Sequence, residues 1–164
     1  MDAVQEFAKQ TDVSKNAAPA KGTFRYGQLD QRIGYKLRRA QIAVFHTFFE
    51  AVATLDIRPA QYSVLTIIEH NPGLSQTQVA QALGIKTANF VAMIKALEKR
   101  GLISRQPIEH NRRTHELFIT PEGKVLIEKL HTLTNDAEER IKKHLGADVY
   151  EKLFEPLEAL VSTR

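Results

Sequence analysis

At 164 residues, with a net charge of +4 and 43% hydrophobic residues, the chain has the size and make-up of one globular domain with an extension. It contains no cysteine, which excludes disulfides, thiol nucleophiles and thiol-based redox sensing. No apolar run approaches the roughly 20 residues that cross a bilayer, and no signal-peptide stretch opens the chain, so a cytoplasmic protein with no membrane partner is expected.

Residues 1–28 are rich in Ala, Lys, Gln, Asn and Asp, with Pro19 and Gly22, and read as a flexible arm. Phe24, Arg25 and Tyr26 are placed to dock on the body where the arm ends. A long first helix is expected from Leu29 to Leu55, capped by Asp30. Ile33, Leu37, Ala40, Val44, Phe48, Val52 and Leu55 form one stripe at helical spacing, and Tyr35, Arg38, Ile42, Phe45 and Phe49 form a second. A helix apolar on two faces has two partners to cover, such as its own domain and another subunit. Arg38 on the second stripe is open to two readings: an anion anchor, or a cation that snorkels to solvent or pairs with a neighbouring Glu, as can Arg39.

Pro59 starts a second helix that Asn71-Pro72-Gly73 stops. Ser75 caps a short amphipathic segment with Val79, Ala80 and Leu83 on its apolar face. Gly84 supplies a sharp turn, and Thr87 offers a second cap before Phe90, Val91, Ile94 and Leu97 recur at helical spacing. Two helices joined by a short glycine turn form a helix-turn-helix, whose second helix can lie in the DNA major groove. Leu102–Ile108 and Thr114–Thr120 then read as two short strands around the polar loop Glu109–Arg113, a wing with a basic tip. From Lys86 to Arg113 seven Lys/Arg stand against two Glu, a local balance of +5 that suits phosphate neutralisation. Thr120-Pro121-Glu122 reads as cap, proline and acid opening a helix seamed by Leu126, Leu130, Leu133, Ala137 and Ile141, which Gly146 ends. Val149, Leu153, Leu157 and Leu160 line the last segment, interrupted by Pro156.

No G-x-S-x-G elbow, phosphate loop or H-E-x-x-H supports an enzyme, and no catalytic residue or cofactor is expected. A metal-responsive protein is the nearer alternative, with His131 beside Glu128, or His144 beside Glu139 or Glu151, as ligand candidates; solvated helix charges explain these equally. An effector-independent architectural DNA-binding protein is a further one.

The order of motifs resembles the MarR (multiple-antibiotic-resistance regulator) family. The residues that carry the resemblance are Pro59-x-Gln61-Tyr62-x-Val64-Leu65, Pro72-Gly73-Leu74-Ser75-Gln76, Val79-Ala80-x-x-Leu83-Gly84, Ile94-x-x-Leu97-Glu98-x-Arg100-Gly101-Leu102-Ile103-x-Arg105, Arg112-Arg113 and Leu117-x-Ile119-Thr120-x-x-Gly123. The family usually carries Asp directly before the two wing arginines; here Asn111 keeps a hydrogen bond and loses the charge. The resemblance implies a mainly α fold with a small β-hairpin wing: a winged helix-turn-helix over residues 59–120 and a helical dimerisation region over 29–58 and 121–164. It implies a homodimer that binds a double-stranded DNA operator as a ligand-responsive transcriptional regulator.

Three groups of DNA contacts are then expected: Ser75, Gln76 and Gln78 on phosphate; Lys86, Thr87, Ala88, Asn89 and Lys95 on the recognition helix; Arg105, Asn111, Arg112 and Arg113 on the wing. Ile33-Gly34-Tyr35-x-Leu37-Arg38-Arg39-Ala40-Gln41 is similar to members that govern breakdown of aromatic acids, hydroxycinnamates among them. This implies an aromatic-acid or CoA-thioester effector among Tyr35, Arg38, Arg39, Ile42, Phe45, His46 and Tyr62.

Overall fold

The structure, a computed structural model, describes residues 24–108 and 111–162, with the backbone alone at residues 87, 88, 108 and 111–114. Residues 1–23 of the expected arm lie outside the described residues. The first helix is shorter than expected at both ends. Gly27–Gln31 form a 3-10 turn, and Arg32 is extended, so helix α1 runs only from Ile33 to Ala51. Asp30 does not cap it; its carboxylate lies 3.7 Å from Lys36 instead. The chain leaves α1 through a tight turn in which the Leu55 N–H donates to the Val52 carbonyl at 2.9 Å. None of the residues of α1 is buried, and Ile33 is 64% exposed.

Helix α2 (Pro59–His70) begins with Pro59 in its first turn, and Gln61 reaches back to accept from the Arg58 N–H at 2.9 Å. A two-residue strand β1 (Leu74–Ser75) precedes helices α3 (Gln76–Ala82) and α4 (Thr87–Lys99). Strands β2 (Ile103–Ile108) and β3 (Asn111–Ile119) follow, in an antiparallel sheet ordered β1-β3-β2. Leu74 pairs with Leu117, Ile103 with Ile119, and a register shift falls between Pro107 and Ile108. β3 begins at Asn111, so three residues of the expected loop, Asn111 to Arg113, belong to a strand. Val64, Leu65 and Ile68 of α2, Val79 of α3, Phe90, Ile94 and Leu97 of α4 and Leu117 of β3 are buried in one cluster. Each such side chain contributes about 1.5–3 kcal/mol by leaving water.

Helix α5 (Pro121–Leu145) crosses the domain. Thr120 caps it, accepting from the Gly123 N–H at 3.0 Å and donating to the Gly101 carbonyl at 2.6 Å. Its buried face is Gly123, Ile127, Leu130, Thr134 and Ala137; of the expected seam, Leu130 and Ala137 are buried and Leu126, Leu133 and Ile141 are half-buried beside them. Short helices α6 (Ala147–Glu151) and α7 (Phe154–Val161) close the chain; Phe154, Leu157 and Leu160 are exposed. Among the described residues no helix is long and apolar enough to cross a membrane.

Tyr150 ties α6 to α5 by donating to Glu138 at 2.8 Å. That bond, aided by partial burial, pushes the phenol pKa from 10.0 to about 12. The folded state therefore keeps a proton that the unfolded chain releases near 10. Its contribution is complete below about pH 10 and is lost as pH rises through about 12. Tyr150→Phe should flatten this part of the alkaline unfolding profile followed by circular dichroism. Superimposable profiles for the two proteins would remove the bond from the account.

Candidate nucleic-acid interface and effector site

The helix-turn-helix is set by local chemistry at three points. Ser75 Oγ accepts from the Gln78 N–H at 3.3 Å, and Gln78 Oε1 accepts from the Ser75 N–H at 2.9 Å. Gly84, at φ 61°, ends α3, and the Ile85 N–H returns to the Ala80 carbonyl at 2.9 Å. Lys86, rather than Thr87, occupies the cap of α4, and Thr87 is its first helical residue. Phe90, Ile94 and Leu97 then turn inward, which leaves Lys86 and Lys95 exposed and Asn89 half-buried in the first turn. Ser75 and Gln78 engage each other's side chains, and Gln76 between them is half-buried.

The expected cations divide. Arg105 on β2 is held by Glu98 of α4, whose hydrogen bond raises the guanidinium pKa. It braces the sheet against the helix. Asn111, Arg112 and Arg113 start β3, and their side chains lie outside the described residues, as do those of Thr87 and Ala88.

Six of the seven expected effector residues lie along α1, and the seventh, Tyr62, is on α2. At the start of α1, Arg39 hydrogen-bonds to Tyr35 and then to Tyr26, which favours its charged form and raises its pKa. The Tyr26 and Tyr35 rings lie 5.9 Å apart. Sequence reading placed Tyr26 only as a docking residue; its nearness to a helix bearing two arginines was the available signal. Arg38 is exposed on the same helix, and Ile42 and Phe45 are half-buried further along. His46 faces Glu50 at 3.4 Å, and Glu50 also meets Arg140 of α5 at 3.1 Å.

Tyr62 of the second helix packs on a later turn of α1. Its ring lies 5.9 Å from Phe48, and its hydroxyl lies 2.9 Å from His131 Nδ1 and 3.1 Å from Thr134 Oγ1. His131 Nε2 in turn meets Glu69 at 3.2 Å. The pairing of His131 with Glu128 is thus replaced by contacts across to α2, and no group of three His, Cys, Asp or Glu suited to a metal occurs among the described residues. A surface groove lined by Glu139, Arg140, Lys142, Lys143, Gly146 and Ala147 lies at the C-terminal end of α5 and includes none of the seven expected effector residues.

The sequence profile of the MarR family matches residues 57–115. The structure is similar to that of the transcriptional repressor CouR bound to a 23-mer DNA duplex, with 39% identity and a TM-score of 0.80 over 84% of this chain and 98% of that one. The chain belongs to the MarR family. CouR bound to p-coumaroyl-CoA is similar at 37% identity and a TM-score of 0.80, over 86% of this chain and 99% of that one. A protein described as the transcriptional regulatory protein for the hcr operon of Thauera aromatica is 36% identical over 99 residues, 60% of each chain. That match spans less than two thirds of the Thauera protein.

Within this MarR chain the run Leu97-Glu98-Lys99-Arg100-Gly101-Leu102 acquires a residue-by-residue meaning. Leu97 enters the core, Glu98 fixes Arg105, and the Gly101 carbonyl accepts from Thr120. Arg100 donates to the carbonyls of Asp56 and Leu55 at 2.7 and 3.1 Å. The motif is therefore the joint between the recognition helix, the wing and the two long helices.

Proposed function

We propose that this MarR chain is a ligand-responsive, sequence-specific DNA-binding repressor, released from a palindromic operator by an aromatic acyl-CoA thioester and working in the cytoplasm. The observation that carries the reading is α4, which buries Phe90, Ile94 and Leu97 and leaves Lys86 at its cap and Lys95 exposed, in a fold similar to that of a repressor seen on DNA. The uncovered apolar residues of α1 and α7 support a homodimer built through the helices at the chain ends, with the winged unit between them reading a half-site. Wing arginines Arg112 and Arg113 are assigned to the minor groove, and Lys86, Thr87, Ala88, Asn89 and Lys95 to the major groove.

Helix geometry favours the thioester over the free acid. Tyr62 lies against Phe48, and ten residues of helix separate Phe48 from Arg38, about 15 Å along the axis. A free hydroxycinnamate covers only part of that axial separation and leaves the rest to the reach of the arginine side chain. The pantetheine arm of a thioester spans the gap and leaves CoA phosphates at the arginines, where planar guanidinium groups suit them.

The test pairs calorimetry with gel shifts. p-Coumaroyl-CoA should bind and free p-coumarate should not. DNA should weaken the thioester by the factor by which the thioester weakens DNA, about 5–150-fold. Arg38→Ala and Arg39→Ala should each cost the thioester about 2–5 kcal/mol with operator affinity nearly unchanged. Parent-like thioester binding by both variants would move the phosphate anchor elsewhere.

A further inference from the structure

We infer that Arg100 is the positioning residue that transmits the state of α1 to the recognition helix; the inference rests on the effector reading above. Arg100 caps the C-terminal end of α4. Its Nη1 donates to the Asp56 carbonyl at 2.7 Å and its Nη2 to the Leu55 carbonyl at 3.1 Å. One planar fork thus grips two successive carbonyls, and charge-assisted donors of this kind are the strong ones. Those carbonyls belong to the turn by which the chain leaves α1. Asp56 there has φ 46°, in the left-handed region that non-glycine residues seldom adopt.

A second tie holds the same end of α4. The Gly101 carbonyl accepts from the Thr120 hydroxyl at 2.6 Å, and the Leu102 carbonyl from the Thr120 N–H at 3.2 Å. This tie is stiff, because Gly123 packs against the Leu102 carbonyl with no space for a Cβ between them. The Arg100 tie is a side chain on the surface. The last turn of α4 is therefore pinned to the start of α5 and linked through Arg100 to the exit of α1.

A rotation about that pinned end moves the opposite end most. The 13 residues of α4 put Thr87 about 18 Å from the pivot, so a small shift at Leu55–Asp56 becomes a larger one at the base-reading turn. An effector that displaces α1 then changes the attitude of the recognition helix without touching it. Removing the guanidinium disconnects the two while leaving each site intact.

The absence of cysteine from the chain permits spin labels at chosen places only. Labels at Gln41→Cys on α1 and Ala92→Cys on α4, both exposed positions, report the distance between the two helices. Labelled chain is diluted with unlabelled chain, so that only distances within one chain are read. The full-length parent should give a narrow distribution that shifts with p-coumaroyl-CoA. Arg100→Gln should broaden the ligand-free distribution and lose the shift, although calorimetry shows the thioester still bound. Arg100→Lys, which reaches one carbonyl, should fall between, and carries the test alone if Arg100→Gln fails to fold.

Parent-like distributions in the folded variants overturn the inference. So does a lowered Tm with the distribution unchanged, which marks a stabilising clamp and nothing more. If the parent binds no p-coumaroyl-CoA, the effector reading fails, and the ligand-free width still decides whether Arg100 sets the helix.

Discussion

Phe90→Ala is expected to unfold the protein or bring it close to unfolding, while Asn89→Ala, one residue away, should leave it folded and impair its hold on DNA. Phe90 is wholly buried in the cluster formed by α2, α3, α4 and β3. Truncating a buried phenylalanine costs about 3–5 kcal/mol, a large part of the 5–15 kcal/mol typical of a domain. Asn89 is half-buried in the first turn of α4, so its loss should move stability by only about 0.5 kcal/mol. If it contacts a base edge, its loss costs binding about 1–3 kcal/mol. Urea titration and fluorescence anisotropy on a duplex operator separate the two quantities. A stable Phe90→Ala protein would mean that α4 is rotated from this orientation. Undiminished DNA binding by Asn89→Ala would place base reading elsewhere on the helix.

Gly123→Ala should destabilise strongly even though alanine is the better helix former. A Cβ at Gly123 would lie 2.1 Å from the Leu102 carbonyl oxygen and 2.8 Å from Ile119 Cδ1. The first obstacle is backbone at the end of the recognition helix, so relief requires α5 to lift away from the joint. Such overpacking costs about 1–3 kcal/mol and occasionally more, and this contact belongs at the upper end. Gly34→Ala in α1 is the matched control, because nothing lies within 4 Å of its Cβ position. There the helix propensity of alanine should appear as a gain of up to about 1 kcal/mol. Chemical denaturation of both variants decides the matter; a shift of the same sign in both contradicts the close approach.

Legibility from the sequence followed the range of the interactions. The Ser75 cap, the Gly84 turn and the Phe90–Ile94–Leu97 spacing are local signals, and the structure realises each of them. β1 was invisible because two residues carry no period; Leu74 and Ser75 are strand only through Leu117 and Glu116. The beginning of β3 at Asn111 is likewise set by pairing with Ile108 rather than by a pattern of its own. On α5, apolar spacing found Leu130 and Ala137, which are buried, but gave no sign of Thr134, which is buried as well. Its hydroxyl returns to the Leu130 carbonyl at 2.7 Å and also meets Tyr62, which makes a polar side chain acceptable there.

In the candidate sites the same limit holds. His131 meets Tyr62 and Glu69 across 69 and 62 residues of sequence, and a reading confined to helical neighbours selected Glu128. Charge counting placed Arg105 on the positive surface because Glu98, seven residues earlier, gives no sign of folding back on it.

The strand order β1-β3-β2 leaves β2 on the outside of the sheet, with one edge open to any extended chain that comes alongside. Self-association is the hazard of such an edge. Pro107 offers no N–H to an incoming strand, and the register shift beside it bends the edge away from a flat template. At the other border, β1 is only two residues long, too short to seed a further ladder. The wing can thus project from the body while remaining a poor starting point for aggregation.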